Sequence, residues 1–273
     1  MNADEKLIIL ERISPAVSRL VLNRPQRRNA LSIALMRQLR SVLIAAAADE
    51  SLRVILMRGA GPAFCAGLDL EEAAADELHH SAGVVAECLR ALVAVPAVTV
   101  AVVHGAAMGG GAGIMAACDH VVAEENAKIG FPEVRRGLVA ALILAFLRRQ
   151  LRDRDLRELL LGGGVISAEK ALAIGLVNRV VPSGTGDAGA LEFVREVLQG
   201  APGAIARTKT LLARSGDSID REIETALHSH LEARASDEAK EGIAAFLEKR
   251  PPRWVPAEKM IEQRESEPHV TRR

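Results

Sequence analysis

Tyrosine is absent from the chain, which excludes every mechanism that needs a phenol as acid or as oxyanion donor. Cysteine is scarce: Cys65, Cys88 and Cys118 are an odd number with no close pairing, so neither a disulfide framework nor a cysteine-based zinc site is expected. They read as small buried hydrophobes. No excess of one charge exists, since Lys plus Arg and Asp plus Glu are 35 each, and a general nucleic-acid or anionic-membrane surface is not expected. Although 49% of residues are hydrophobic, no uninterrupted apolar run reaches membrane-spanning length. The polar start, Met1-Asn2-Ala3-Asp4-Glu5-Lys6, carries no apolar signal core, so the expected location is the cytoplasm.

What is present is an alternation of short β-rich runs with helical patterns. Residues 7–10, 17–22, 54–58 and 98–103 read as strands; residues 33–48 and 82–94 read as helices, the first with Ser32 as N-cap. Such alternation predicts an α/β layer structure with largely parallel pairing. The 273 residues suffice for a large core. The pattern changes at Ser183-Gly184-Thr185-Gly186-Asp187, beyond which residues 191–198, 204–213, 219–234 and 237–249 carry apolar positions at helical spacing. The expected division is therefore residues 1–182 as the catalytic unit and 183–273 as a helical subdomain.

Two glycine-rich loops follow strands. Val102-Val103-His104-Gly105 leads to Met108-Gly109-Gly110-Gly111, and upstream Gly59-Ala60-Gly61-Pro62 leads to Ala63-Phe64-Cys65-Ala66-Gly67-Leu68-Asp69. Glycines there let backbone N–H groups face an anion or a polarised carbonyl without side chains in the way. Each loop can supply one N–H to a single oxygen.

These segments, with Leu22-Asn23-Arg24-Pro25, Asn29-Ala30-Leu31-Ser32, Ala116-Ala117-Cys118-Asp119, Phe131-Pro132-Glu133 and the stretch from Glu241 to Arg250, resemble the crotonase (enoyl-CoA hydratase/isomerase) superfamily in order and over nearly the whole chain. The resemblance implies a spiral of β-β-α turns whose strands form two roughly perpendicular sheets. It implies an oxyanion hole made by the backbone N–H groups of Leu68 and Gly110, and an acyl-CoA substrate whose thioester gains charge as an enolate. It also implies that the backbone from Ala63 through Phe64 and Cys65 to Ala66 faces the adenine, with Phe246 and Lys249 near the nucleotide and Arg24 and Arg28 beside the pantetheine. A homotrimer or dimer of trimers is expected on the same ground, with no cofactor beyond the coenzyme A of the substrate and no metal.

Relatives with two catalytic glutamates carry them at positions that here hold Gly113 and Glu133. The single carboxylate left, Glu133, is the expected acid/base; its competing reading is a carboxylate interacting with the start of the following helix. Residues 137–142 replace a glycine-rich stretch found in many hydratases, so the acyl pocket is expected to differ in shape. Asp69 reads as a structural acceptor, His104 as structural, and His79, His80, His228 and His230 as helix-surface residues without a metal arrangement.

The expected activity is hydration of a 2-enoyl-CoA, with isomerisation second; decarboxylation or C–C cleavage of an acyl-CoA and non-catalytic acyl-CoA binding are alternatives. A dinucleotide oxidoreductase half-fits Gly59-Ala60-Gly61, but Phe64 stands where the third glycine belongs.

Overall fold

The computed structural model describes residues 6–74, 78–213 and 219–253. The chain opens with β1 (Ile8–Ser14), β2 (Val17–Leu22), α1 (Ile33–Ala47) and β3 (Val54–Gly59), then α2 (Leu70–Ala74) and α3 (Leu78–Ala94). It continues with β4 (Val98–Val103), β5 (Ala106–Met108), α4 (Gly110–Ala117), β6 (His120–Glu124), β7 (Lys128–Gly130), α5 (Ala141–Gln150) and α6 (Asp153–Gly162). After β8 (Val165–Ser167), α7 (Ala168–Ala173) and β9 (Arg179–Val181), the remaining elements are helices: α8 (Gly186–Gln199), α9 (Pro202–Ala213), α10 (Ile219–Ala235) and α11 (Asp237–Leu247). Ser32 caps α1 as its position suggests, accepting the N–H of Leu35 at 3.2 Å.

A six-stranded sheet runs β1-β2-β3-β4-β6-β9, antiparallel between β1 and β2 and parallel elsewhere, and a three-stranded sheet runs β5-β7-β8. Successive passes alternate between them: β4 then β5 then α4, and β6 then β7, followed by the 3-10 turn Pro132–Arg136 and α5. The pass through β3 follows the same plan, because Cys65 makes a parallel bridge to Ala107 in β5 before the chain enters α2. Each pass thus crosses from a strand of the large sheet to a segment of the small sheet and out through a helix. The glycine-rich loops lie at these crossings.

The central strands β3 and β4 are apolar on both sides because both faces of the large sheet are covered there. Ile55, Met57, Ala101 and Val103 join the cluster that holds Leu35, Leu39 and Leu43 of α1 and Leu89 and Leu92 of α3. Their neighbours Val54, Leu56, Val100 and Val102 join Ala190 and Val194 of α8. This is the two-residue alternation of a strand read out by two different layers. The helices beyond Pro182 pack on what precedes them: α9 is tied by Lys209, whose Nζ donates to Ala97 O and Asp119 Oδ2, and α10 packs on α3 and α5. Among the described residues no helix is long and apolar enough to cross a membrane.

Candidate active site

Asn29 builds the first loop. Buried and in the left-handed region at φ 57°, it accepts the Arg24 N–H and donates to the carbonyls of Ala60 and Ala63, which pins the loop before Leu68. The neighbours of Leu68 are then fixed from the other side: Leu31 N–H donates to Gly67 O at 2.8 Å and Asp69 N–H to Leu31 O at 3.2 Å. Gly67 has φ 91°, and a side chain there would sit 2.6 Å from Met108 O, so only glycine lets the two loops meet.

The second loop approaches from β5. Gly109, at φ 49°, donates its N–H to Gly130 O, and Gly110 begins α4. A Cβ on Gly67 would be 3.5 Å from Gly110 N, and one on Gly110 would be 3.9 Å from Leu68 N, so the two backbone nitrogens are neighbours. Neither nitrogen has an acceptor among the described residues. Gly110 N is also among the first-turn donors of α4, where the helix dipole favours negative charge.

Glu133 enters from the 3-10 turn. A Cβ on Gly109 would lie 3.0 Å from Glu133 Oε1, which places the carboxylate against the residue just before Gly110. Glu133 Oε2 is buried without a hydrogen-bond partner among the described residues. Burial pushes the carboxyl up to about 7, while its own backbone hydrogen bond and the Arg136 cation pull it down. Leu68, Gly110 and Glu133 line one cavity of about 270 Å³ whose walls also include Met36, Val85, Leu89, Ile114 and Ile143.

Gly113 lies beside this cavity with its space taken. A Cβ there would meet Ile143 Cγ1 at 2.8 Å, so Ile143 fills the volume a side chain at 113 would need. The run that replaces a glycine-rich stretch supplies Leu138 and Leu142 to the wall, and α5 beyond it supplies Ile143.

The other sequence candidates are distributed unevenly. Ala66 lines the cavity, whereas Ala63, Phe64 and Cys65 are buried beneath it with their backbone groups engaged: Phe64 N–H with His104 O, Cys65 N–H with Ala106 O, Cys65 O with Met108 N–H. Arg24 is held inward, donating to Asp69 Oδ2 at 2.6 Å and to Ala30 O; Asp69 is accordingly a structural acceptor, its carboxyl held low by that guanidinium against the effect of burial. Arg28 and Lys249 are exposed and do not line the cavity. Phe246 does, with its ring under the Arg136 guanidinium at 4.5 Å. His104 is buried with Nε2 3.1 Å from Gly61 O. The thiols of Cys65, Cys88 and Cys118 are buried and pushed up to about 12, so they act as apolar filler. Among the described residues no group of three His, Cys, Asp or Glu side chains is arranged for a metal. The side chains of His79 and His80 fall outside the described residues.

Among the charged cavity residues, Arg27, Glu71, Arg136 and Arg234 escaped the sequence reading, as did the inward placement of His230. His230 and Arg234 share a face of α10 at a spacing of one turn, and burial holds His230 down at about 4, hence neutral. The correction applies to His230, expected on a helix surface. An i,i+4 pairing was visible, but nothing in the sequence said which face turns inward.

Helix α11 locks the turn that carries Glu133. Gly242 faces the Arg136 backbone so closely that a Cβ would lie 2.3 Å from its carbonyl carbon and oxygen. On an open helix face Gly→Ala stabilises by about 0.5–1 kcal/mol. Gly242→Ala is expected to do the reverse, destabilising by about 1–3 kcal/mol through overpacking, which a denaturant titration measures.

The family model described as enoyl-CoA hydratase/isomerase matches residues 12–257. A Thermus thermophilus protein named as a candidate enoyl-CoA hydratase is 38% identical over 241 residues, covering 85% of this chain and 95% of that one. The 2,3-dehydroadipyl-CoA hydratase of Escherichia coli is 35% identical over 242 residues, covering 85% of this chain and 92% of that one. The crystal structure of an enoyl-CoA hydratase from Mycobacterium avium superposes with a TM-score of 0.82 at 33% identity, covering 93% of this chain and all of the other.

Proposed function

The chain belongs to the enoyl-CoA hydratase/isomerase family and has the crotonase fold, and from that premise we propose that it hydrates a 2-enoyl-CoA with Glu133 as its single acid/base. The observation that carries the reading is the buried, unpartnered Glu133 Oε2 in the same cavity as the two uncommitted N–H groups of Leu68 and Gly110.

In this mechanism the thioester oxygen accepts both N–H groups. Glu133, as carboxylate, takes a proton from water while the hydroxyl oxygen bonds to C3. The electron pair of the C2=C3 bond moves toward the thioester and leaves an enolate oxygen, which the two fixed donors stabilise; such a donor contributes about 3–4 kcal/mol to lowering the barrier. Glu133 then returns the proton to C2, so the elements of water add across the double bond. The conjugated thioester itself is the electron sink, and the reading needs no cofactor. A carboxyl poised near 7 is present in both forms at neutral pH, as a residue that must first accept and then donate a proton requires.

Gly113 favours a second reading. With Ile143 in the space of a second carboxylate, Glu133 alone serves a 1,3-proton shift, taking a proton from C2 of a 3-enoyl-CoA and returning it to C4. The assay that separates them follows the ultraviolet absorbance of a conjugated 2-enoyl-CoA. Hydration removes it with a 3-hydroxyacyl-CoA product by mass; isomerisation leaves a 2-enoyl-CoA intact and instead generates absorbance from a 3-enoyl-CoA. Neither change with either substrate overturns both readings.

A further inference from the structure

We infer that Arg136 is a positioning residue that holds the Glu133 carboxyl in working balance, acting across the cavity wall without closing an ion pair. The inference rests on the acid/base reading of Glu133 and adds to it a partner on which that residue depends. Glu133 and Arg136 stand three residues apart in the 3-10 turn Pro132–Arg136, and side chains at that spacing in a 3-10 helix eclipse one another. Both line the cavity. Glu133 Oε2 and Arg136 Nε are both buried and neither has a hydrogen-bond partner among the described residues. A closed bidentate pair would occupy the carboxylate and fix it as an anion; an uncovered buried carboxyl would be held protonated. A cation nearby but not bonded to it leaves the oxygen open to substrate while offsetting the burial.

What holds the guanidinium back from Glu133 is visible. Phe246 presents its ring 4.5 Å from the Arg136 guanidinium carbon, and Gly242 brings α11 against the Arg136 backbone. A cation over an aromatic face is attracted by about 0.5–2 kcal/mol, so α11 competes with Glu133 for the arginine. Other charged groups around Glu133 are engaged elsewhere. Arg135 on the same turn donates to Gly162 O; Asp69 is paired with Arg24 and Glu71 with Arg27; Glu241 of α11 is paired with Arg250 and Arg253. Glu238 of α11 meets Gly137 through its backbone, and α10 faces the cavity with neutral His230 beside Arg234.

The test is a pH profile. In Arg136→Met the acidic limb of kcat/KM should move up by about one pH unit, so that activity is lost most at pH 6 and recovers toward pH 9, and Arg136→Lys should restore most of the shift. Phe246→Leu, at a half-exposed position, frees the guanidinium toward Glu133 and should move the limb the other way. The carboxyl can also be followed without turnover, from the pH dependence of the stability difference between each protein and its Glu133→Gln counterpart. That readout shifts with Arg136 even if no enoyl-CoA is a substrate, which separates failure of this inference from failure of the activity. An unmoved limb and an unmoved stability window in Arg136→Met, or a loss equal at all pH values that lysine does not rescue, overturns it.

Discussion

Glu133→Gln is expected to lower turnover of the acyl-CoA substrate by about 10²–10⁴-fold and, at the same time, to make the folded protein more stable above pH 7. The first effect follows because glutamine keeps the shape and loses the proton shuttle. The second follows from the sign of the shift. Burial raises the folded carboxyl from 4.5 to about 7, so between those values the folded chain keeps a proton that the unfolded chain has released. Stability from this group is full below about 4.5 and falls as pH rises to about 7. Glutamine does not ionise, so the variant gains on the native protein through that window, by roughly 3 kcal/mol once the pH is above it, and gains nothing at pH 4. Denaturant titrations at the two pH extremes measure this. A structural carboxylate stabilising its helix start would give the opposite sign, a loss on substitution.

Gly110→Pro is expected to cost about 10²–10³ in turnover, the loss seen when one donor of an oxyanion site is removed. Gly110 is the first residue of α4, a position that accepts proline because its N–H has no partner inside the helix. Substitution therefore deletes the donor with little demand on the helix. Gly110→Ala is the control: it adds the same Cβ, which meets Leu31 Cδ1 at 2.9 Å, the movable end of a side chain, and keeps the N–H. The alanine variant should stay within about tenfold of the native rate, since the donor term is untouched. Equal losses in the two variants, measured as kcat with the fold checked by circular dichroism, would assign the effect to crowding and not to the N–H.

The glycine loops were readable as places where backbone N–H groups stay uncommitted, because glycine after a strand has a backbone consequence independent of the rest of the fold. Glu133 was readable because its spacing from the Gly109-Gly110-Gly111 run matches a family pattern. Residues whose position depends on which surfaces meet were not. Arg136 faces the cavity because Gly242 lets α11 close on its backbone, and the turn and the helix that meet there are far apart in sequence. Arg24, a cation beside the loop, is consumed by Asp69, and Ala63, Phe64 and Cys65 are sealed under the site by Asn29 and β5. The alternation of strands and helices gave the layer class, yet which face of the large sheet α8 covers became visible only through Val54, Leu56, Val100 and Val102.

The most direct measurement is deuterium incorporation from heavy water at C2 of a 2-enoyl-CoA, followed by mass spectrometry of the product with the native protein and with Glu133→Gln. The account predicts one non-exchangeable deuterium at C2 of a 3-hydroxyacyl-CoA formed by the native protein, and about 10²–10⁴-fold slower formation of that product by the variant. Product formed equally by both proteins, or a native product without deuterium at C2, would contradict it.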